Sequence, residues 1–328
     1  MKFIFASTLI FLTLLADSLT TTESSQNSAS EVLSSPTSET KVPLPLSSTR
    51  TTVELYKKEA KENNASAMFN LGLLYFSGDE VEQNYVKAFN WYKKASDAGD
   101  LKALNNLAYM YEHGLGVQRD DSLAKEHYER AARAGLVEAQ LNLGLFYENS
   151  PTPSNMKKAY YWYEKAANNG DKVAQNNLAK LYYFGNGVEE NLQKAFFWFQ
   201  EAAWNDDALA QYNIAMMYYK AEYVSYDSEK TLFWLERSAK GGSHHAQSKL
   251  GDLYAEGIIV TKNLKTAFEW YKRAANDGFL RAIYQVGVFY FYGHGVDIDK
   301  LAAKEWLEKA HSQDYEDATS FMQRNSLF

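Results

Sequence analysis

The sequence predicts an all-α solenoid built from helical repeats, and three observations carry that prediction. Seven copies of about 36 residues follow one another, starting at Ala65, Leu101, Val137, Lys172, Ala208, His244 and Leu280. Each copy places small or apolar residues at spacings of four and four, the stripe of an α-helix. Proline is scarce, at 5 of 328 residues, while Tyr (24) and Trp (7) are plentiful, a balance that suits helices with bulky cores. In such an array each copy buries its apolar face against its neighbours.

The first helix of a copy is read from three places. The third is always Ala (Ala67, Ala103, Ala139, Ala174, Ala210, Ala246, Ala282) and the eleventh always Tyr (Tyr75, Tyr111, Tyr147, Tyr182, Tyr218, Tyr254, Tyr290). The seventh is Leu71, Leu107, Leu143, Leu178, Ile214, Leu250 or Val286. The eighth is Gly or Ala throughout, such as Gly72, Ala108 and Gly287. Gly inside a helix costs roughly 1 kcal/mol against Ala, so its recurrence points to close approach of a neighbouring helix. A turn follows, often Gly-x-Gly-Val, as at Gly114–Val117, Gly185–Val188 and Gly293–Val296. No strand precedes these glycines and no Gly-Lys-Ser/Thr follows, so they read as helix stops rather than a phosphate loop. Two turns depart from this pattern and are expected to be reshaped. The third copy has Asn149-Ser150-Pro151-Thr152-Pro153-Ser154, and the fifth has Ala221 and Tyr223 at the glycine places.

The second helix repeats K-A-x-x-W-Y-x-x-A-A-x-x-G. Trp91, Trp162, Trp198, Trp234, Trp270 and Trp306 share one place, with His127 there in the second copy. Alanines four residues on, from Ala95 to Ala310, suit a core in which large residues fill holes left by small ones. On this reading Trp198 and Tyr182 sit between stacked helices. The charges after Trp-Tyr, such as Lys93-Lys94 and Lys272-Arg273, read as a solvated outer face. Val53 to Ala60 matches the second helix of an incomplete leading copy, and residues 316–328 match the first helix of an eighth, with Ala318 at the Ala place. Half-repeats are expected at both ends, because a terminal copy must cover an apolar face.

The amino-terminal part reads differently. Lys2 precedes an apolar run from Phe3 to Ala16, and Ala16 and Ser18 offer small side chains for cleavage, the pattern of a signal peptide over 1–18. The run is too short to cross a bilayer, so no transmembrane segment is expected in the mature chain. Residues 19–51 are rich in Ser and Thr and read as a disordered linker, with the solenoid over 52–328. Asn64-Ala65-Ser66 is an N-glycosylation triplet at Asn64. Together these place the protein in a secreted or lumenal space, either the endoplasmic reticulum lumen or the bacterial periplasm and exterior.

Composition removes several function classes. Cysteine is absent, which excludes disulfides, thiolate zinc sites and a Cys nucleophile. A net charge of −7 argues against a duplex nucleic-acid binder, which needs a basic face. His244 and His245 are neighbours in sequence and point about 100° apart on a helix, a poor arrangement for one metal. Acidic pairs such as Glu189-Glu190 and Asp206-Asp207 fall in loops. With no H-E-x-x-H or G-x-S-x-G motif, the chain is expected to have no catalytic residues, no metal and no cofactor.

The pattern A-x-x-x-L-G-x-x-Y-x-x-G-x-G-V…K-A-x-x-W-Y-x-K-A-A-x-x-G resembles the Sel-1-like repeat, a relative of the tetratricopeptide repeat, over about residues 52–328. The resemblance implies a right-handed α-solenoid of antiparallel helix pairs whose first helices line a concave side. It also implies scaffold or adaptor work. Three functions are compatible with it: a secretory-pathway scaffold holding a protein or peptide in the groove, a subunit of an endoplasmic-reticulum quality-control complex, and an enzyme whose site lacks a known motif. The oligomeric state stays open.

By analogy with tetratricopeptide proteins, the second, fifth, sixth, ninth and twelfth places face the groove. The sixth place is mostly an amide: Asn70, Asn106, Asn142, Asn177, Asn213 and Gln285. An amide both donates to and accepts from a peptide backbone. The competing reading is that these amides bond helix to helix within the array. Tyr183, Tyr212, Met216, Tyr219 and Tyr284 are candidate anchors at the fifth, ninth and twelfth places, as are Phe69, Phe76, Tyr109 and Phe291. The fifth copy, with Tyr212, Met216 and Tyr219 on one stripe, is the expected hot spot, flanked by Asn177, Tyr183 and Asn213.

Overall fold

The structure, a computed structural model, describes residues 46–328. The expected signal peptide lies outside the described residues, as does the linker up to residue 45. Residues 46–51 depart from the linker expectation: they open helix α1 (Leu46–Lys61), directly after Pro45, which a helix interior would not accept.

Each copy contributes an antiparallel pair of helices. The pairs are α2 (Ala65–Ser77) with α3 (Tyr85–Asp97), α4 (Leu101–His113) with α5 (Asp121–Arg133), and α6 (Val137–Glu148) with α7 (Pro153–Asn168). Next come α8 (Lys172–Phe184) with α9 (Leu192–Trp204) and α10 (Ala208–Lys220) with α11 (Ser228–Lys240). The last are α12 (His244–Glu256) with α13 (Leu264–Asn276) and α14 (Leu280–Tyr292) with α15 (Lys300–His311), followed by a single helix, α16 (Glu316–Arg324). No strand occurs among the described residues. The helices fall into two compact units, one formed by the residues up to 174 with 185–189, the other by 175–184 with 190–328.

The repeated residues explain the pairing. All seven Ala of the third place and all seven apolar residues of the seventh are buried. The backbone carbonyl of the eleventh-place Tyr accepts from the residue that caps the second helix: Asn84 N to Tyr75 O is 2.8 Å, Asp120 to Tyr111 2.9 Å and Asn263 to Tyr254 2.8 Å. Those capping side chains then accept from the first helical amides, as Asn84 does from Lys87 N and Asn263 from Thr266 N. The Lys of K-A rests on the same tyrosine ring, Lys87 over Tyr75 at 5.2 Å and Lys230 over Tyr218 at 5.0 Å. Many loop acids are therefore helix caps. Asp207, placed in a loop by the sequence, is buried and accepts from Ala210 N at 2.7 Å.

Trp198 does not occupy the place expected of it. The residue after the Trp place is the one fully enclosed: Tyr92, Tyr128, Tyr163, Phe199, Leu235, Tyr271 and Leu307 are all at most 3% exposed. Trp198 is only half-buried, and so are Trp91, Trp162, Trp270 and Trp306; Trp234 alone of the set is buried. On a helix the two places lie about 100° apart, so only one can point straight at the first helix. The Trp instead flanks the interface and takes a cation on its outer face, Lys94 over Trp91 at 4.2 Å and Arg273 over Trp270 at 4.6 Å. The small eighth place makes room for the enclosed residue, since a Cβ on Gly144 would overlap the Tyr163 ring.

The two unusual turns behave differently. In the third copy Asn149 stays right-handed, and Thr152 caps α7 with Pro153 in its first turn, so that turn is reshaped as expected. The fifth is not. Ala221 and Tyr223 take φ of 56° and 61°, keeping the path that Gly114 and Gly116 follow at 66° and 68°. Packing of the pair overrides the local preference of the two side chains.

Candidate functional site

In the first unit the first helices α2, α4 and α6 approach one another more closely than the second helices do, and form the inner row. Most of the expected groove amides are buried within their own unit. Asn106, Asn142, Asn177 and Asn213 are at most 7% exposed. Asn142 Nδ2 donates to Asn105 Oδ1 at 2.9 Å in the first unit, and Asn213 Nδ2 to Asn176 Oδ1 at 3.1 Å in the second. The sixth place of one copy thus bonds the fifth place of the copy before it. Asn70 is half-buried.

The expected hot spot needs correction as well. Tyr212 and Met216 are 5% and 2% exposed, and Tyr212 lies 5.7 Å from the His245 ring. Neither stands free: Tyr212 packs against His245 of α12, and Met216 is enclosed. Tyr284 is half-buried against Tyr315 and Phe321 of the closing half-repeat. Tyr183 and Tyr219 remain partly accessible.

A polar set that the sequence reading missed lies in the second unit, and two of its members, Glu222 and Lys249, contact these tyrosines. Tyr183 Oη donates to Glu222 Oε2 at 2.7 Å, and burial together with that carboxylate pushes the phenol pKa up. Lys249, the exception to the amide rule, is itself buried, 4% exposed, and sits under the accessible Tyr219 with its Nζ 4.6 Å from the ring centre. Arg281 Nη1 donates to Asp252 Oδ2 at 2.8 Å and to Ser248 Oγ at 3.0 Å, while Tyr271 Oη donates to Asp252 Oδ1 at 2.6 Å. Asp252 is thus held from behind by a buried tyrosine and from the side by a guanidinium that is 31% exposed. Burial raises the pKa of the nearby Glu256 carboxyl, with Asp252 adding to the effect and Lys249 opposing it. This arrangement offers fixed donors, acceptors and aromatic faces, which is the equipment of a recognition surface. The only sequence signal for it was the break in pattern at Lys249.

The first unit carries a related motif. Tyr128 Oη donates to Glu112 Oε2 at 3.0 Å, and Tyr163 bonds Glu148 in the same way. Beside Glu112, Tyr109 stacks on His113 at 4.1 Å. Burial raises the Glu112 carboxyl pKa; His113 and the Tyr128 hydroxyl pull it back. An acid whose folded pKa is raised costs stability once pH exceeds the ordinary carboxylate range, and costs nothing in acid. Glu112→Gln keeps an acceptor for Tyr128 and removes the charge. The variant should therefore melt higher than the parent at about pH 7 and level with it at about pH 3; a gain that persisted unchanged in acid would contradict this.

A second missed pattern is the fourth-place Gln. Gln140, Gln211 and Gln247 donate to the carbonyls of Ala132, Ala203 and Ala239 at 3.2, 3.0 and 3.1 Å, tying each first helix to the preceding second helix. Its recurrence in successive copies was visible in the sequence. No group of three or more metal-ligating side chains occurs among the described residues.

Seven consecutive segments, 65–100, 101–136, 137–171, 172–206, 208–243, 244–279 and 280–315, match the family model described as Sel1 repeat. The chain belongs to the Sel1 repeat family. A Sel1 repeat protein from Oxalobacter formigenes is similar over 92% of this chain and 85% of its own, at 30% identity and a TM-score of 0.69. The protein c5321, a protective antigen present in uropathogenic Escherichia coli strains and displaying an SLR fold, is similar over 81% of this chain and 65% of its own, at 27% identity and a TM-score of 0.59. No curated protein matches the sequence. The fold is thus an α-solenoid of Sel1 repeats, a family whose members generally mediate protein–protein interaction and are typically not enzymes.

Proposed function

We propose that this Sel1 repeat protein is an exported scaffold that holds a protein or peptide partner against the first helices of its second unit. The observation that carries the reading is that two accessible tyrosines hold fixed polar partners, Tyr183 with Glu222 and Tyr219 with Lys249, while the Arg281–Asp252 pair is fixed one turn along α12 from Lys249. Preorganised groups of both signs beside accessible rings suit an extended polypeptide, whose backbone and side chains present donors and acceptors in turn.

Tyr183→Ala with Tyr219→Ala should weaken partner capture by at least about 2 kcal/mol with the helical signal intact. Tyr212 is left in place because its removal would damage the core. Undiminished capture by the folded double variant would end the reading.

Export rests on the charged and apolar residues of 1–18. Amino-terminal sequencing of the mature protein should begin near residue 18; an intact Met1 in a cytosolic pool would oppose it. Among the described residues no helix is long and apolar enough to cross a membrane. In a glycosylating compartment Asn64 is a suitable acceptor. It is exposed at the start of α2, and a glycan on Nδ2 would displace the bond to Glu59 Oε2 but leave Oδ1 free to cap Ala67 N.

A further inference from the structure

We propose that the outer face of α9 and α11, centred on Phe197, Trp204 and Phe233, is a two-fold interface between two copies of this chain. These three side chains are 50%, 53% and 50% exposed. They form one ridge: Phe197 and Trp204 lie two turns apart on α9, and the Trp204 ring is 6.3 Å from Phe233 and 4.7 Å from Trp234 on α11.

The other copies act as internal controls. At the place of Phe197 and Phe233 the first, second, sixth and seventh copies hold Asn90, Glu126, Glu269 and Glu305, while the third holds an aromatic too, Tyr161, 49% exposed. At the place of Trp204 the neighbouring copies hold Asn168 and Lys240. The repeat therefore folds with polar residues at these places, and the aromatic ridge is not needed to build it. Exposed rings that the fold does not require mark a contact surface, and Trp204 joins two of them into a ridge.

The occupant follows from the charges. Four cations (Lys194, Lys230, Arg237, Lys240) lie on α9 and α11 with three acids (Glu201, Glu229, Glu236), and two loop acids pair with them, Asp206 with Arg237 and Asp227 with Lys230, in a chain whose net charge is −7. A single-signed partner, such as an anionic membrane, would be met better by α13, where Lys265, Lys272 and Arg273 face only Glu269. A nearly balanced set of both signs beside an apolar ridge suits an isologous contact, because each patch must complement itself. It is also a place where two acidic chains can approach without like-charge repulsion. Arg237 lies 5.4 Å from the Trp204 ring and bonds Asp206 Oδ1 at 2.7 Å, so the central indole is positioned in advance.

Sedimentation equilibrium of the full chain from about 1 to about 100 µM tests this. The parent should approach twice the 37.3 kDa of one chain as concentration rises. Phe197→Glu, Trp204→Asn and Phe233→Glu together install residue types that sister copies already carry, and this variant should sediment as one chain with an unchanged helical signal. Should the triple variant lose helix, Phe233→Glu alone is read instead, with at least a tenfold weaker association expected. A parent that stays a single chain at the highest concentration would overturn the proposal. So would a folded variant that associates as the parent does.

Discussion

Phe199→Ala should destabilise the second unit by about 3–5 kcal/mol, the range for emptying a fully enclosed aromatic site. Phe199 has no exposed surface and lies on the side of α9 that faces α8. Trp198→Ala, one residue away, should cost less than half as much, because the indole only flanks the interface. The sequence reading placed Trp198 between stacked helices and so expected the large loss there, since Trp is the residue that repeats most visibly. Denaturant titration followed by circular dichroism separates the two variants. In an array of repeats the loss can appear as a split transition, so the affected phase is the one to compare. Equal losses would show that the Trp place is as enclosed as its neighbour.

Gly295→Ala should cost about 2 kcal/mol or more, for two separate reasons. Gly295 has φ of 69°, where an added Cβ is strained. That Cβ would also overlap the backbone of Leu264 at the start of α13, in the preceding copy. Backbone cannot rotate aside as a side chain can, so the two copies would have to separate. Gly116 against Tyr85 and Gly187 against Met156 repeat the arrangement. Gly99→Ala is the control: its φ is 94°, but a Cβ there meets nothing within 4 Å. Its loss should reflect backbone strain alone and be clearly smaller. If the two variants melted alike, contact between copies at the second glycine would contribute nothing.

These cases show what the sequence made legible. The helix pairs, the glycine stops and the two half-repeats follow from spacing, because each copy restates the same geometric constraint. Ala318 of α16 is fully buried where an eighth copy would place it. Which of two adjacent aromatics is enclosed did not follow, since Trp and Tyr are alike to a periodicity argument and differ only by the rotation of the helix. Nor did the destination of the sixth-place amides. An Asn at regular spacing suits a ligand backbone and a neighbouring helix equally well, and the helix lies nearer: Asn213 is spent on Asn176. The polar set around Tyr219 was hidden for another reason. Lys249 is a single departure from the amide rule, Arg281 stands at a place with no consensus, and their convergence with Asp252 depends on how successive copies stack.

Hydroxyl-radical footprinting of the chain, with and without a captured partner, addresses the interaction surface most directly. The method reads side-chain accessibility one residue at a time. Partner-dependent protection should fall on Tyr183 and Tyr219, with Phe197 and Phe233 unchanged between the two samples. Protection confined to the outer aromatics, with Tyr183 and Tyr219 as reactive as before, would contradict a scaffold that holds its partner against the first helices.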